Sequence, residues 1–167
     1  AGAIRVQDVL DALGLERHPD KGWWLPTQRL EHLGLEVDTL RGLFLVPIAK
    51  VKDLVRGAQA LLGVACANRD LVPVRQLAGF AGLAQSIILA CPPTRLHLRA
   101  LHDAVAERTS WHARVRLGKQ ARRDLRWWIK FNAAEVTRAI WQSPTTRTLH
   151  CDASHLGWGG VLDGVVP

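Results

Sequence analysis

The sequence predicts a mixed α+β fold in which two strand-forming stretches flank a long helical region. Apolar and polar residues alternate over 31–38 and again over 148–152, which is the period of a half-buried strand. From residue 48 to residue 131 the apolar residues instead recur at the spacing of three and four that is typical of helices. Since 48% of the 167 residues are hydrophobic, the chain is long and apolar enough to form a sizeable core.

The first segment predicts a short helix followed by an interrupted strand. Apolar residues at helical spacing favour a helix over 3–13, with Gly14 at the position of a C-terminal cap. Residues 15–18 then have a strand-like pattern, and the Pro-Asp-Lys-Gly stretch at 19–22 is typical of a turn.

Residues 31–46 predict a β-hairpin. Strict alternation favours a first strand over 31–38, the residues from Asp38 to Gly42 favour a turn, and the apolar stretch at 43–46 favours the returning strand. Gly34 would then lie in mid-strand, where glycine either marks a bulge or leaves room for another backbone or a ligand.

The helical region predicts four helices and no further strand. The first helix starts after Pro47 and ends near Gly63, and the second starts at Pro73 and ends at Cys91. A third helix carries Leu98, Leu101 and Val105, and a fourth covers residues 117–131. A loop over 142–146 then precedes the last strands.

The composition predicts a globular intracellular protein, in the cytoplasm or the nucleus, without a membrane span. Charged residues, glycine or proline interrupt every long apolar run, and the N-terminus has no secretory pattern. Cys66, Cys91 and Cys151 are widely spaced and form no Cys-x-x-Cys pair. We therefore expect three buried free thiols rather than disulfides or a zinc site.

The charge distribution predicts an anionic partner. The net charge is +7 and the pI is near 10.2, and residues 114–130 contain seven Lys or Arg against one acid, Asp124. Such a concentration of cations favours phosphate binding through counterion release. An ordinary solvated helix face is the alternative. The cations of the fourth helix are Lys119, Arg122, Arg123, Arg126 and Lys130.

The stretch around Asp152 predicts a strand, a turn and a second strand. The alternating residues 148–152 end in this aspartate, small and polar residues follow over 153–157, and residues 158–162 can return as a strand. A carboxylate at a strand end beside a turn is well placed to hold a divalent metal. The alternative is that Asp152 starts an Asx-type turn.

Asp152-Ala153-Ser154 followed by Gly157-Trp158-Gly159 resembles the opening of a ribonuclease H domain of the retroelement type. Three further sequence motifs precede it, in the order found in reverse transcriptases of the tyrosine-recombinase (DIRS-type) retrotransposons. Nearly the whole chain thus resembles the C-terminal part of such an enzyme. These motifs are Leu30-Glu31-His32-Leu33-Gly34-Leu35, Val74-Arg75-Gln76-Leu77-Ala78-Gly79 and Asp124-Leu125-Arg126-Trp127-Trp128.

The resemblance implies three regions of an RNA-directed DNA polymerase with an attached ribonuclease H. Residues 1–46 would be the end of the polymerase palm with the primer-grip hairpin, 47–143 the helical thumb and connection, and 144–167 the truncated start of the ribonuclease H domain. The implied partner is an RNA/DNA template-primer duplex, and the implied cofactor of the complete parent enzyme is Mg²⁺.

The resemblance also implies roles for individual residues. Asp152 would be a catalytic metal ligand, and Lys21 would approach the leaving pyrophosphate as a general acid, with a solvated turn lysine as the alternative. Gly34 would let the primer backbone approach closely. The implied nucleic-acid contacts are His32, Leu33 and Gly34 in the grip, Lys50, Lys52, Arg56 and Arg75 in the thumb, and Lys119, Arg122, Arg123 and Arg126 in the connection.

The sequence departs from a complete polymerase in its carboxylates. It contains no Asp-Asp pair and no methionine, so we expect an excerpt of a longer protein that lacks both activities by itself, because two-metal phosphoryl transfer needs several carboxylates. The alternative is a non-catalytic, basic helical module, a domesticated retroelement remnant that binds nucleic acid or another protein.

Overall fold

The structure is a computed structural model that describes residues 2–16, 18, 23, 25–132, 137–141 and 147–163. Within these ranges it contains helices and small antiparallel sheets, so the predicted α+β class is confirmed. None of the helices in these ranges is long and apolar enough to cross a lipid bilayer. The α-helices are α1 Gly2–Ala12, α2 Ile48–Ala67, α3 Val74–Gln85, α4 Arg99–Ala106 and α5 Lys119–Ile129, and a 3₁₀ helix covers Pro92–His97.

The strands form three antiparallel sheets. Strands β1, β2, β3 and β6 form a four-stranded sheet in that order, β4 pairs with β5, and β7 pairs with β8. The strands are β1 Arg29–His32, β2 Leu35–Asp38, β3 Leu43–Leu45, β4 Leu71–Pro73, β5 Arg114–Arg116, β6 Arg138–Ala139, β7 Leu149–Ser154 and β8 Gly157–Leu162.

The core is organised around α2, which packs against α3 and α5. Leu54, Ala58, Leu61 and Ala65 are buried along this helix, at a spacing that places them on one face. Helix α5 contributes Trp128, which is fully buried. The predicted end of the first helix near Gly63 is therefore wrong, because the apolar stripe continues past the glycine and the helix ends at Ala67.

Helix α3 starts after Pro73 as predicted, but it ends at Gln85 rather than at Cys91. Turns follow from residue 86 to residue 90. They keep Ile87 and Ala90 fully buried. The apolar pattern therefore continues beyond the end of the helix, which is why the predicted helix was too long.

The prediction of no further strand between residues 48 and 131 is also wrong. Strand β4 precedes α3, and β5 lies in the link before α5. Each strand has three residues, of which only Val72 and Val115 are buried. A single buried residue per strand cannot display a period of two, which is why the pattern gave no signal.

The predicted hairpin at 31–46 contains three strands rather than two. The turn from Asp38 to Gly42 and the returning strand are confirmed. Leu33 and Gly34 instead form a two-residue turn between β1 and β2, with φ angles of 50° and 74°. Positive φ at both positions is the mark of a type I′ hairpin turn, so the mid-strand placement of Gly34 is wrong.

Helix α1 confirms the predicted helix at 3–13 within a residue at each end. The Leu15 N–H donates to Leu10 O and the Gly14 N–H donates to Asp11 O, each at 3.0 Å, and Gly14 has φ 68°. These two bonds form a Schellman cap, so Gly14 ends a helix. Of the predicted strand at 15–18, residues 15, 16 and 18 have no strand structure. Lys21 and the rest of the turn at 19–22 lie outside the described residues.

The last two strands confirm the predicted strand, turn and strand, but two details of that prediction are wrong. Strand β7 continues past Asp152 to Ser154, and Asp152 pairs with Gly159, so the aspartate is not at the strand end. Every residue of both strands is exposed, so β7 is not half-buried. The loop at 142–146 lies outside the described residues, and β6, which pairs with β3, was not predicted.

The cysteines differ from the prediction of three buried thiols. All three are thiols rather than disulfides, as expected, but only Cys91 is buried, and Cys66 and Cys151 are exposed. Burial raises the pKa of the Cys91 thiol to about 11, because an apolar environment disfavours the thiolate.

Truncation of Leu54 tests the central position of α2. Leu54 is fully buried, whereas Ile48 on the same helix is 74% exposed. We expect Leu54→Ala to lower the free energy of unfolding by about 2–5 kcal/mol because it leaves a cavity, and Ile48→Ala to change it by less than about 0.5 kcal/mol. Urea denaturation measures both values. Equal effects of the two variants would contradict the assigned core.

Candidate nucleic-acid interface

The three predicted grip residues lie together at one exposed hairpin tip. His32 ends β1, and Leu33 and Gly34 form the turn. The Leu33 side chain is 88% exposed, and its left-handed backbone conformation is unfavourable for a residue with a Cβ. The tip thus presents backbone groups and one apolar side chain to solvent.

Lys50 joins this tip to the helical bundle. Its Nζ donates to the Gly34 carbonyl oxygen at 2.6 Å and to Ser86 Oγ at 3.2 Å. Ser86 Oγ in turn donates to Leu83 O at the end of α3. A Cβ at position 34 would meet the Lys50 ammonium, which is the far end of a flexible side chain and can swing away. Glycine is therefore favoured at position 34 mainly by its positive φ. The approaching group that the sequence left open is thus, in this structure, a lysine of the same chain.

Three cations of α5 and Lys130, which caps its C-terminal end, form an exposed stripe. The spacing of four, three and four residues places them within one narrow face of the helix over about 17 Å. The opposite face buries Ala121, Asp124, Leu125 and Trp128. The four exposed residues, which we call the α5 stripe, are Lys119, Arg123, Arg126 and Lys130.

Arg122 lies apart from the α5 stripe. Its Nη1 lies 2.8 Å from Asp70 Oδ1, and the two side chains are only 30% and 28% exposed. Asp70 and its neighbour Arg69 have positive φ angles of 66° and 53° in the turn after α2. Arg122 therefore fixes this strained turn to α5, and its Nε is buried without a hydrogen-bond partner among the described residues.

A buried polar cluster sets the rotation of α5. Asp124 is 1% exposed, and its Oδ1 lies 3.1 Å from His97 Nδ1 and 3.0 Å from Gln120 Nε2. Trp127 stacks on the His97 ring at 4.0 Å between centroids, and Trp128 Nε1 donates to His97 O at 3.0 Å. Because this cluster holds the inner face, the α5 stripe must face outward. The only sequence signal was a single acid among seven cations.

The predicted thumb cations have different surroundings. Arg56 pairs with Asp53 one turn away on α2, and both are exposed. Arg75 Nη2 lies 3.3 Å from His112 Nε2. Lys52 is exposed and lines a cleft of about 450 Å³ together with Arg29 and Arg41. The hydrogen bond that Arg29 donates to Glu36 and the negative charge of that carboxylate raise the pKa of Arg29.

Asp152 lies on an exposed hairpin. Its Oδ1 accepts a hydrogen bond from the Ala153 N–H at 2.8 Å, and nearby His150 Nε2 lies 2.8 Å from Asp163 Oδ2. Within the described ranges no group of three or more His, Cys, Asp or Glu is arranged to hold a metal ion. Two Mg²⁺ ions need several carboxylates, so the described residues by themselves do not form the site that the resemblance implies for the complete parent enzyme.

The chain matches no protein-family model, no curated protein and no solved structure.

A comparison of alanine substitutions at Gly34 and Gly42 separates the effect of Lys50 on stability from the effect of backbone strain. Gly34 and Gly42 both have positive φ, but a Cβ at Gly42 meets nothing within 4 Å. We expect Gly42→Ala to lower the free energy of unfolding by about 1–2 kcal/mol through strain alone. Gly34→Ala should cost about 0.5–1.5 kcal/mol more, because the Lys50 side chain must swing away and loses its hydrogen bond to the Gly34 carbonyl.

The Lys50→Ala background is the control for this comparison, and urea denaturation provides the measurement. With the ammonium absent, the two glycine variants should become equally destabilising. A difference that persists in this background would show that Lys50 is not its cause.

Arg122 and Arg123 are adjacent but should act differently on stability. Arg122→Ala should lower the free energy of unfolding by about 1–3 kcal/mol, because it leaves the half-buried Asp70 without its partner. Arg123→Ala should change it by less than about 0.5 kcal/mol, because Arg123 is exposed. Thermal or urea unfolding measures both, and the reverse ranking would contradict the assigned pair.

Proposed function

We propose that the chain is part of a reverse transcriptase of the DIRS type, an RNA-directed DNA polymerase with an attached ribonuclease H, and that it binds the template-primer duplex. In this proposal the hairpin tip at Leu33 and Gly34 holds the primer terminus, and the helical bundle follows the duplex by its phosphates. The observation that carries it is the bond from Lys50 to the Gly34 carbonyl, which links these two parts.

The Lys50 hydrogen bond fixes the position of the hairpin tip relative to the helical bundle. Lys50 lies in the first turn of α2, the helix on which the core is built, so the tip cannot move freely against the bundle. Holding a strand terminus in a fixed position is what a polymerase needs from these regions, because small displacements of reacting groups are costly in rate. An ammonium has three donors, and within the described residues two of them bond to Gly34 O and Ser86 Oγ. In this proposal the third binds a primer phosphate.

The α5 stripe supports a backbone contact that is independent of sequence. Lysine and arginine side chains on a straight line suit a row of phosphates, whereas base recognition requires side chains that enter a groove. RNA-containing duplexes are recognised mainly by shape and backbone. A cationic line on a helix whose inner face is fixed therefore fits a template-primer duplex.

The proposed chemistry belongs to the complete enzyme. The sequence contains no Asp-Asp pair, so we assign binding, rather than phosphoryl transfer, to these residues. Asp152 is the proposed first ribonuclease H ligand for Mg²⁺, and Lys21 the proposed general acid, both by resemblance alone.

A second candidate function is a non-catalytic nucleic-acid-binding module. It is favoured by the continuous core of the bundle, which runs from Leu35 to Phe131, whereas the β7–β8 hairpin is exposed throughout. Such a bundle has the core that it needs to fold without the hairpin. Appending the missing carboxylate-bearing regions would separate the two candidates, since only a polymerase would then extend a primer in the presence of Mg²⁺.

The salt dependence of duplex binding tests the proposed interface. Replacing the four residues of the α5 stripe by glutamine should weaken binding to a primer-template duplex. It should also reduce the slope of log affinity against log salt by about 0.9 for each phosphate that is no longer neutralised. Fluorescence anisotropy with a labelled duplex between about 50 and 200 mM salt measures this slope.

The matched control replaces four exposed arginines on other elements, and its slope should stay within about one unit of the wild type. An unchanged slope in the α5 variant, or an equal reduction in the control, would rule out the α5 stripe as the footprint. The control residues are Arg5, Arg41, Arg95 and Arg99.

A further inference from the structure

A second cationic surface lies beside the β4–β5 ribbon. Residues 108–116 contain three arginines, one histidine and no acid. Trp111 lies in the middle of this segment and is 48% exposed. Helix α3 adds Arg75, whose guanidinium lies 3.3 Å from His112. We call Trp111 and the polar residues around it the Trp111 patch, which comprises Arg75, Arg108, Trp111, His112, Arg114 and Arg116.

The Trp111 indole is held in place by Arg108. The guanidinium carbon lies 4.2 Å from the indole centroid, within the range of a cation–π contact. Arg108 Nη1 also donates to Val105 O near the end of α4 at 3.1 Å. The indole is therefore an aromatic surface that is half-exposed and already oriented, which lowers the entropic cost of stacking a planar ligand on it.

The arginines of β5 lie on the solvent side of the ribbon. Val115 is buried, whereas Arg114 and Arg116 on either side of it are exposed, because side chains alternate along a strand. The Val74 N–H donates to Ala113 O at 3.1 Å. This bond fixes the segment to the start of α3, and so keeps Arg75 beside His112.

We infer that the Trp111 patch binds an unpaired stretch of a nucleic-acid strand. One base stacks on the Trp111 indole, and the neighbouring phosphates bind Arg75 and Arg114. Aromatic platforms among cations bind single strands of any sequence, because every base has a π-face. The bases of a duplex are already stacked on one another, so only an unpaired base can use the indole. Stacking needs no 2′-hydroxyl, so the same patch accepts DNA or RNA.

This inference rests on the proposed function and adds a separate contact to it. The α5 stripe would hold the paired part of the substrate, and the Trp111 patch an unpaired part that leaves the duplex. An aromatic residue flanked by arginines is also common in protein interfaces. Arg75, Arg108 and Arg114 favour the polyanion, whereas Arg116 lines a cleft together with Asp103 and Glu107. The experiment includes the protein alternative as an outcome.

The test compares three tryptophan variants on short single strands of oligo-dT and oligo-rU and on a blunt duplex. Trp111→Ala should weaken binding of both single strands by about 5-fold to 150-fold, the range that alanine substitution gives at stacking positions. Trp111→Phe should retain most of the affinity, because the phenyl ring still stacks. Trp141→Ala is the matched control, since Trp141 is 69% exposed beside a different sheet, and it should leave the affinity unchanged.

A photochemical measurement on the unaltered protein keeps the test independent of variant folding. An oligonucleotide that carries 5-iodouracil should cross-link to Trp111, and peptide mapping should identify it. Cross-links at Trp141 or Trp158 in place of Trp111 would overturn the inference. A thermal melt of each variant, followed by circular dichroism, checks that the fold is kept.

The remaining outcomes separate this inference from the proposed function. If the duplex binds with a slope that depends on the α5 stripe, but single strands bind Trp111→Ala as well as wild type, the inference fails and the proposed function stands. Equal weakening on single strand and duplex would also overturn it, because stacking affects unpaired bases only. If neither nucleic acid binds, both fail, and the patch is assigned to a protein partner.

Discussion

The burial of one face of α2 against α3 and α5 is the constraint on which the other features depend. Lys50 projects from the first turn of this helix to the hairpin tip, and Asp70, just beyond its end, receives Arg122 from α5. Between these points Leu54, Ala58 and Leu61 are excluded from water, which provides the main favourable free energy of such packing. The buried apolar face holds α2 in one position. Lys50 at its start can therefore reach the hairpin tip, and Asp70 just beyond its end can reach Arg122.

Helix α5 combines two demands on eleven residues. Its outer face carries the cations of the α5 stripe, and its inner face places Asp124 in the core beside His97. A buried carboxylate is costly unless it is hydrogen-bonded, and here its Oδ1 lies within hydrogen-bonding distance of two groups while Oδ2 has no partner among the described residues. This cluster permits only one rotation of the helix, so the direction of the cations is determined from inside the protein.

The sequence was informative where a pattern extends over several turns or strands. The α+β class, the positions of α1, α2 and α5, and the strands around Asp152 followed from periodicity. It was uninformative where a three-dimensional contact decides the outcome. The role of Gly34 depends on Lys50, sixteen residues away, and the isolation of Arg122 depends on Asp70, fifty-two residues away. The β4–β5 ribbon is too short to show a period. No local pattern distinguishes a cation paired across the fold from one that faces solvent.

The length of α2 has a geometric consequence for any bound duplex. Its 20 residues span about 30 Å, with the hairpin tip at one end and the start of the β4–β5 ribbon at the other. A primer end held at Gly34 would therefore lie about 30 Å from the ribbon beside the Trp111 patch. Under the proposed function, the length of α2 sets how many base pairs separate the primer end from the place where the strands part.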